Sequence, residues 1–73
     1  PTTSINYGLE SDSHVEIMIY DATGRLVEEL VNGQQEGGSY SITWNASNQA
    51  SGMYFAKMVA GDIVQTQKLV LLK

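Results

Sequence analysis

The 73-residue chain lacks cysteine, and it contains only one proline, one histidine and one tryptophan. The absence of cysteine excludes disulfide scaffolds, thiolate zinc sites, iron–sulfur clusters and thiol catalysis. It also means that cysteine usage does not indicate a redox compartment. Long hydrophobic runs are missing as well. The longest, residues 69–72, is far shorter than the roughly 20 residues that span a bilayer.

Basic residues are scarce, because four Lys and Arg stand against eight Asp and Glu, for a net charge of -4. Their distribution is uneven. Residues 1–52 hold seven acids and a single base, Arg25, whereas residues 53–73 hold three lysines and one acid. Binding to nucleic-acid phosphates needs clustered Lys and Arg. The charge pattern therefore argues against a nucleic-acid partner.

The residues that are present are typical of one small globular domain over residues 1–73. Hydrophobic residues make up 42% and charged residues 16%, an ordinary globular balance. A domain of this length buries only about 60% of its unfolded surface, which suits a binding or targeting module better than an enclosed catalytic cleft. The chain opens at Pro1 with no basic and apolar leader, so we expect a piece of a longer protein without a signal peptide.

Alternation of apolar and polar residues predicts β-strands along most of the chain. The pattern is clear in residues 4–9, 14–20 and 39–45. Residues 53–59 are apolar on both faces, as in a central or doubly covered strand. Residues 60–62 have a tight-turn composition, so we expect residues 53–59 to pair as a hairpin with residues 65–72.

Residues 25–31 are open to two interpretations. Leu26 and Leu30 stand four residues apart, which suits a two-turn helix. The preceding residues 21–24 instead resemble a hairpin turn with Gly24 in the left-handed region, and we favour a strand.

Turn-forming residues divide the remaining chain. The sequence predicts a turn at Asn32 and Gly33, a polar loop over residues 34–38 and a longer loop over residues 45–52. About six to seven short strands result. An antiparallel two-sheet sandwich is the natural way for them to cover their apolar faces.

Residues 11–14, Ser-Asp-Ser-His, contain the residue types of a hydrolase triad. A triad needs side chains that converge from separate segments, whereas adjacent residues in a turn point apart. We therefore interpret His14 as solvated on an outer strand face. The acidic residues, among them Glu10, Asp12 and Glu16, lack the spacing of a calcium-binding loop. The sequence predicts no metal site and no cofactor.

The aromatic residues could be interpreted as a sugar-stacking platform. Tyr40 and Trp44, however, share their strand face with Ile42, and aromatic residues on such an apolar stripe favour a core. Residues 45–47 form a glycosylation sequon, a motif that matters only if the source organism glycosylates asparagine.

The end of the chain carries Lys68 and Lys73 on either side of an apolar run. A partner can recognise such an extended strand through its backbone, its side-chain pattern or its free end. A strand that only completes a sheet explains the same residues, and the residues alone favour that interpretation.

Several segments in order resemble a known family. They are residues 1–5, 15–21, 24–27, 40–45, 51–55 and 67–73. Together they resemble the C-terminal sorting domain (type A) of proteins that the type IX secretion system exports in Bacteroidetes-like bacteria. They are also similar to the immunoglobulin-like domain of the flagellar hook-cap protein family. The resemblance covers nearly the whole chain.

The resemblance implies an all-β, immunoglobulin-like antiparallel β-sandwich of about six to seven short strands, without catalytic activity, at the end of a larger secreted protein. The outer-membrane export machinery is expected to recognise it. The upstream passenger domain then reaches the cell surface or the medium through the periplasm and outer membrane. A sortase-like peptidase can remove the domain there.

The resemblance also assigns roles to individual residues. Gly52 and Tyr54 match the Gly-x-Tyr element of the family, and Gly24 and Trp44 carry over as structural positions. The expected recognition residues are Lys68, Leu69, Val70 and Lys73. One departure concerns the leading segment, since family members usually begin with an Asn-Pro-rich stretch of which only residues 1–3 remain here.

Two alternatives stay open at this point. The chain could be a hook-assembly-type or other immunoglobulin-like structural module. It could also be a carbohydrate-binding accessory module of a secreted enzyme.

Overall fold

A computed structural model describes residues 2–72, which form six β-strands in two antiparallel sheets. The strands are β1 (Thr2–Leu9), β2 (Ser13–Asp21), β3 (Leu26–Gln35), β4 (Gly38–Asn45), β5 (Gly52–Ala60) and β6 (Ile63–Leu71). One sheet pairs β1 with β4, and the other has the order β3-β2-β5-β6. The predicted all-β architecture of about six strands in two antiparallel sheets is confirmed.

The core lies between the two sheets, because the strands of both sheets bury alternate residues. In β2, Val15, Ile17 and Ile19 are almost completely buried, as their alternation predicted. The two-stranded sheet contributes Ile5 and Trp44 to the same core. The terminal hairpin completes it with Tyr54, Ala56, Ala60, Leu69 and Leu71.

Residues 26–31 are strand rather than helix, in agreement with the favoured interpretation. The amide of Gly24 donates to the Asp21 carbonyl at 3.0 Å, and the amide of Asp21 donates to the Arg25 carbonyl at 3.0 Å. This tight turn joins β2 to β3. The next residues therefore pair with β2 and cannot form an isolated helical turn.

The predicted turn at Asn32 and Gly33 is wrong, as is most of the polar loop over residues 34–38. β3 continues to Gln35, with Asn32 opposite Glu16 and Gly33 opposite Val15. Pairing with β2 satisfies backbone groups along this whole stretch, and this outweighs the local turn preference of an Asn-Gly pair. Only residues 36 and 37 separate β3 from β4.

The predicted terminal hairpin is confirmed. β5 and β6 pair in nine consecutive positions, from Gly52 opposite Leu71 to Ala60 opposite Ile63, with residues 61 and 62 in the turn. β5 lies in the interior of the four-stranded sheet, and β6 lies at its edge. The last strand of the described chain is thus held by a neighbour on one side only.

Candidate recognition site on the terminal hairpin

The predicted recognition residues of β6 lie on two different faces of the strand, one toward the core and one exposed. Leu69 is 8% exposed and belongs to the core, whereas its neighbour Val70 is 63% exposed. Lys68 is exposed on the same face as Val70. Lys73 lies outside the described residues. Of the described candidates, Lys68 and Val70 are therefore available to a partner, and Leu69 anchors the strand.

The pairing of β5 with β6 places further residues on the face of Lys68 and Val70, since directly opposed residues share a sheet face. Met53 is opposite Val70, Phe55 is opposite Lys68, and Lys57 is opposite Thr66. We call this surface the hairpin outer face. It consists of Met53, Phe55, Lys57, Val59, Val64, Thr66, Lys68 and Val70.

The hairpin outer face combines apolar side chains with positive charge. Met53, Val64 and Val70 are among the exposed large hydrophobic residues of the described chain. Lys57 and Lys68 add two cations, whereas the chain as a whole has a net charge of -4. An apolar patch of this kind, bordered by charge, is typical of a surface that binds another molecule.

The sequence analysis missed the β5 half of this surface. The available signal was the run of residues 53–59, which is apolar on both faces and predicted a central or doubly covered strand. The strand is central, but among residues 2–72 no other element packs over its outer face. The same residues therefore form a surface instead of a second core.

Trp44 and Tyr54 form the aromatic centre beneath the hairpin. Their rings meet edge to face, with centroids 5.2 Å apart. The Tyr54 hydroxyl donates a hydrogen bond to the Ala50 carbonyl at 2.7 Å, so the ring is buried while its polar end is satisfied. Within the described chain, the buried Trp44 indole N–H has no acceptor.

Gly24 and Gly52 occupy backbone conformations that favour glycine. Their φ angles are 88° and 152°, and side-chain-bearing residues rarely adopt either value. Gly24 ends the β2–β3 turn, and Gly52 opens β5. Both glycines therefore shape the chain and do not themselves present a chemical group.

The β2–β3 turn has the most strongly bonded carboxylate of the described residues. Asp21 accepts hydrogen bonds from the Thr23 hydroxyl at 2.6 Å and from the amides of Thr23 and Arg25 at 3.0 Å. The Arg25 guanidinium lies 3.5 Å away. The hydrogen bond from the Thr23 hydroxyl is the main reason why the pKa of Asp21 lies below its usual value. The hydrogen bond from the Arg25 amide is the second.

The structure does not bring residues 11–14 together as a catalytic group. The Ser13 hydroxyl donates to the Ser11 carbonyl, and Asp12 accepts from the Gly37 amide at 2.8 Å. His14 is exposed, with its Nε2 3.0 Å from the Asn32 side-chain oxygen. The side chains of Asp12, Ser13 and His14 thus each have a separate structural partner.

The aromatic residues of the two-stranded sheet pack inward, as their shared parity predicted. Tyr7 and Tyr40 are half-buried and stack with centroids 5.2 Å apart. The Tyr7 hydroxyl donates to the Gln35 side chain, and the Tyr40 hydroxyl donates to the Glu36 carbonyl. Their polar ends tie this sheet to the end of β3.

Fold and surface together define a small all-β module whose terminal hairpin combines an edge strand with an apolar, cationic face. The sequence pattern of the secretion system C-terminal sorting domain matches residues 1–72. The chain belongs to this family. No curated protein and no solved structure matches it.

Membership of the family establishes the general role of the chain. It is a C-terminal sorting signal for type IX secretion of a larger protein, which is exported through the outer membrane to the cell surface or the medium. The family match gives no support to the hook-assembly or carbohydrate-binding alternatives. Within residues 2–72 there is no helix with the length and apolar character needed to cross a membrane.

Proposed function

We propose that the chain is a non-catalytic address that the outer-membrane export machinery recognises on β6. The recognition residues are Lys68 and Val70, together with Lys73 beyond the described chain. Leu69 contributes by fixing the strand to the core. The observation that carries this proposal is the exposure of Lys68 and Val70 on an edge strand that Leu69 and Leu71 anchor in the core.

The surroundings of Lys68 support its assignment. Phe55 lies opposite Lys68 in the adjacent strand, and the exposed Val70 lies on the same face. An ammonium group beside apolar side chains gives a partner both charge and contact area, and charge adds specificity to an apolar contact. A solvated lysine in a polar surface would offer the charge without the apolar contact area.

The remaining family positions are proposed to be structural. Trp44 and Tyr54 fill the core beneath the hairpin, and Gly24 and Gly52 permit two unusual backbone conformations. Substitutions at these positions are expected to lower export through loss of folded protein. The immunoglobulin-like strand arrangement and the relation to the hook-cap family stay predictions, supported by six antiparallel strands in two packed sheets.

The proposal is tested by export of a reporter protein fused to residues 1–73 in a bacterium with type IX secretion. We expect Lys68→Ala to lower delivery to the surface or medium, because it removes the exposed cation of β6. Arg25→Ala is the matched control. It removes one positive charge from a side chain that is 82% exposed in the β2–β3 turn, outside the terminal hairpin.

Circular dichroism and denaturation of both variants must show that they are folded. Equal export of Lys68→Ala and the unchanged fusion would contradict recognition through Lys68. Retention of the folded, unchanged fusion in the periplasm would contradict the proposed role of residues 1–73 as an export address.

A further inference from the structure

We propose that recognition occurs by strand addition, in which an extended β-strand of the partner protein pairs with the free edge of β6. Side chains of the added strand, at least one of them a carboxylate, then lie beside Val64, Lys68 and Val70. This inference rests on the proposed function and specifies the structural class of its partner.

The hairpin geometry identifies the backbone groups at the free edge. Gly61 has a φ of 59°, which fits the first central position of a two-residue type II′ turn. The residues that flank such a turn, Ala60 and Ile63, form a hydrogen-bonded pair, and bonded and non-bonded pairs then alternate along the ladder. The backbone groups that point away from β5 are therefore those of Val64, Thr66, Lys68 and Val70.

These groups determine what can bind. No strand of residues 2–72 pairs with this edge of β6. A row of alternating N–H donors and C=O acceptors at strand spacing is matched by another extended backbone. The edge thus specifies a β-strand as its occupant.

The other outer edge of the same sheet is protected against such pairing. β3 has two register irregularities against β2, and it carries the exposed charges of Glu28 and Glu29. Bulges and charges are the usual means by which proteins prevent edge-to-edge association. β6 has an uninterrupted register and only one charged residue, Lys68.

The two-stranded sheet also has free edges, but its outward residues are glycine or carry small polar side chains. They are Thr2, Ser4, Asn6 and Gly8 on β1, and Ser39, Ser41, Thr43 and Asn45 on β4. These edges offer backbone groups without apolar contact area. Among the described strands, β6 combines an open edge with exposed apolar side chains.

Access to β6 is open on both faces. Residues 63–68 are all exposed, including Gln65 and Gln67, which share the inward parity of Leu69. On this inner side a groove of about 340 Å³ lies between β6 and the β1 residues Ile5, Asn6 and Tyr7. An incoming strand therefore meets no obstacle along this half of β6.

Charge favours a different protein over a second copy of this chain. β6 contains no acidic residue. Two paired β6 strands offer Lys68 no carboxylate from residues 63–71, and in parallel register the two Lys68 ammonium groups would lie side by side. A partner strand that carries Asp or Glu next to apolar residues satisfies Lys68 and covers Val64 and Val70.

The test compares Thr66→Pro with Thr66→Ala in the reporter fusion. Proline removes one outward N–H and blocks close approach, but it leaves the hydrogen bonds to β5 intact, and edge strands tolerate it. Alanine removes the same side chain and keeps the N–H. We expect Thr66→Pro to lower export by about tenfold or more and Thr66→Ala to leave it within about twofold.

The outcomes separate this inference from the proposed function. If the unchanged fusion is not exported, the proposed function fails. If it is exported and Thr66→Pro is folded and exported equally well, strand addition is overturned while the sorting role stands. If Thr66→Pro does not fold, Val64→Pro with Val64→Ala as its control makes the same comparison at another outward N–H.

Sedimentation velocity of the isolated 73-residue chain tests whether a second copy of the chain occupies the β6 edge instead. We expect a monomer. A dimer that Thr66→Pro converts to a monomer, and that Thr66→Ala preserves, would show that a second copy occupies the β6 edge. That result would overturn the assignment to a partner protein.

Discussion

At the scale of single residues, Trp44 is the largest fully buried side chain of the described chain. It is 1% exposed, and its ring meets Tyr54 of the opposite sheet edge to face. We expect Trp44→Ala to lower the free energy of unfolding by about 3–5 kcal/mol, because it removes a large side chain that the core cannot refill. Equilibrium denaturation in urea measures the change. A loss below about 1 kcal/mol would show that Trp44 is not a core residue.

Trp44→Phe serves as the control for ring volume. Phenylalanine keeps an aromatic ring and removes the buried indole N–H, which has no acceptor among the described residues. An unsatisfied buried donor costs stability. The loss for Trp44→Phe is therefore expected to be clearly smaller than the loss for Trp44→Ala.

The Asp21 carboxylate makes stability depend on pH. Its hydrogen bonds from Thr23 and Arg25 lower the pKa of Asp21 in the folded chain below the ordinary value of 3.8. The resulting stabilisation is present above that ordinary value and is lost as the pH falls through the lowered pKa of the folded state. Asp21→Asn should therefore reduce stability at pH 6 and flatten its decline toward pH 2.

Urea denaturation of the unchanged chain and the Asp21→Asn variant between pH 2 and pH 6 checks this dependence. Asp62→Asn, which removes a carboxylate from the β5–β6 turn, is the matched control. Parallel curves for Asp21→Asn and the unchanged chain would contradict the assigned role of Asp21.

At the scale of elements, β6 places core residues and proposed recognition residues next to each other in the sequence. Leu69→Ala should cost about 2–5 kcal/mol of unfolding free energy because its side chain is in the core. Val70→Ala, one residue later on the exposed face, should change stability by no more than about 0.5 kcal/mol. Denaturation of the two variants measures both values. Equal losses would show that the two faces of β6 are not distinct.

The same geometry explains why truncation is a poor probe of the address. Removal of residues 69–73 deletes Leu69 and Leu71 from the core together with Val70 from the surface. The domain then loses stability along with the edge strand. Point variants on the exposed face avoid this problem.

The elements also differ in how well the sequence predicts them. Alternation in β2 and β4 predicted the strands and their buried faces, since the pattern is local and one face is apolar. The end of β3 was predicted wrongly because Asn32 and Gly33 prefer a turn locally and are held in a strand by β2. That constraint comes from a partner strand and is not visible in the segment itself.

At the scale of the whole molecule, the sequence predicts the sandwich but not the neighbours of each strand. The order β3-β2-β5-β6 decides which strand is an edge, and it depends on contacts between distant segments. The apolar residues of β5 could therefore be recognised as strand, while their exposed outer face could not. The family resemblance proposed Lys68 and Val70 as recognition residues, and the register added Met53, Phe55 and Lys57 to the same face.

The hairpin outer face is built from one uninterrupted stretch, residues 53–70. In this family the domain lies at the C-terminus of the exported protein. This stretch is therefore among the last to leave the ribosome. A product of interrupted translation therefore lacks both the edge strand and the side chains beside it. Under the proposed recognition, complete synthesis of the passenger becomes a condition for its release from the cell.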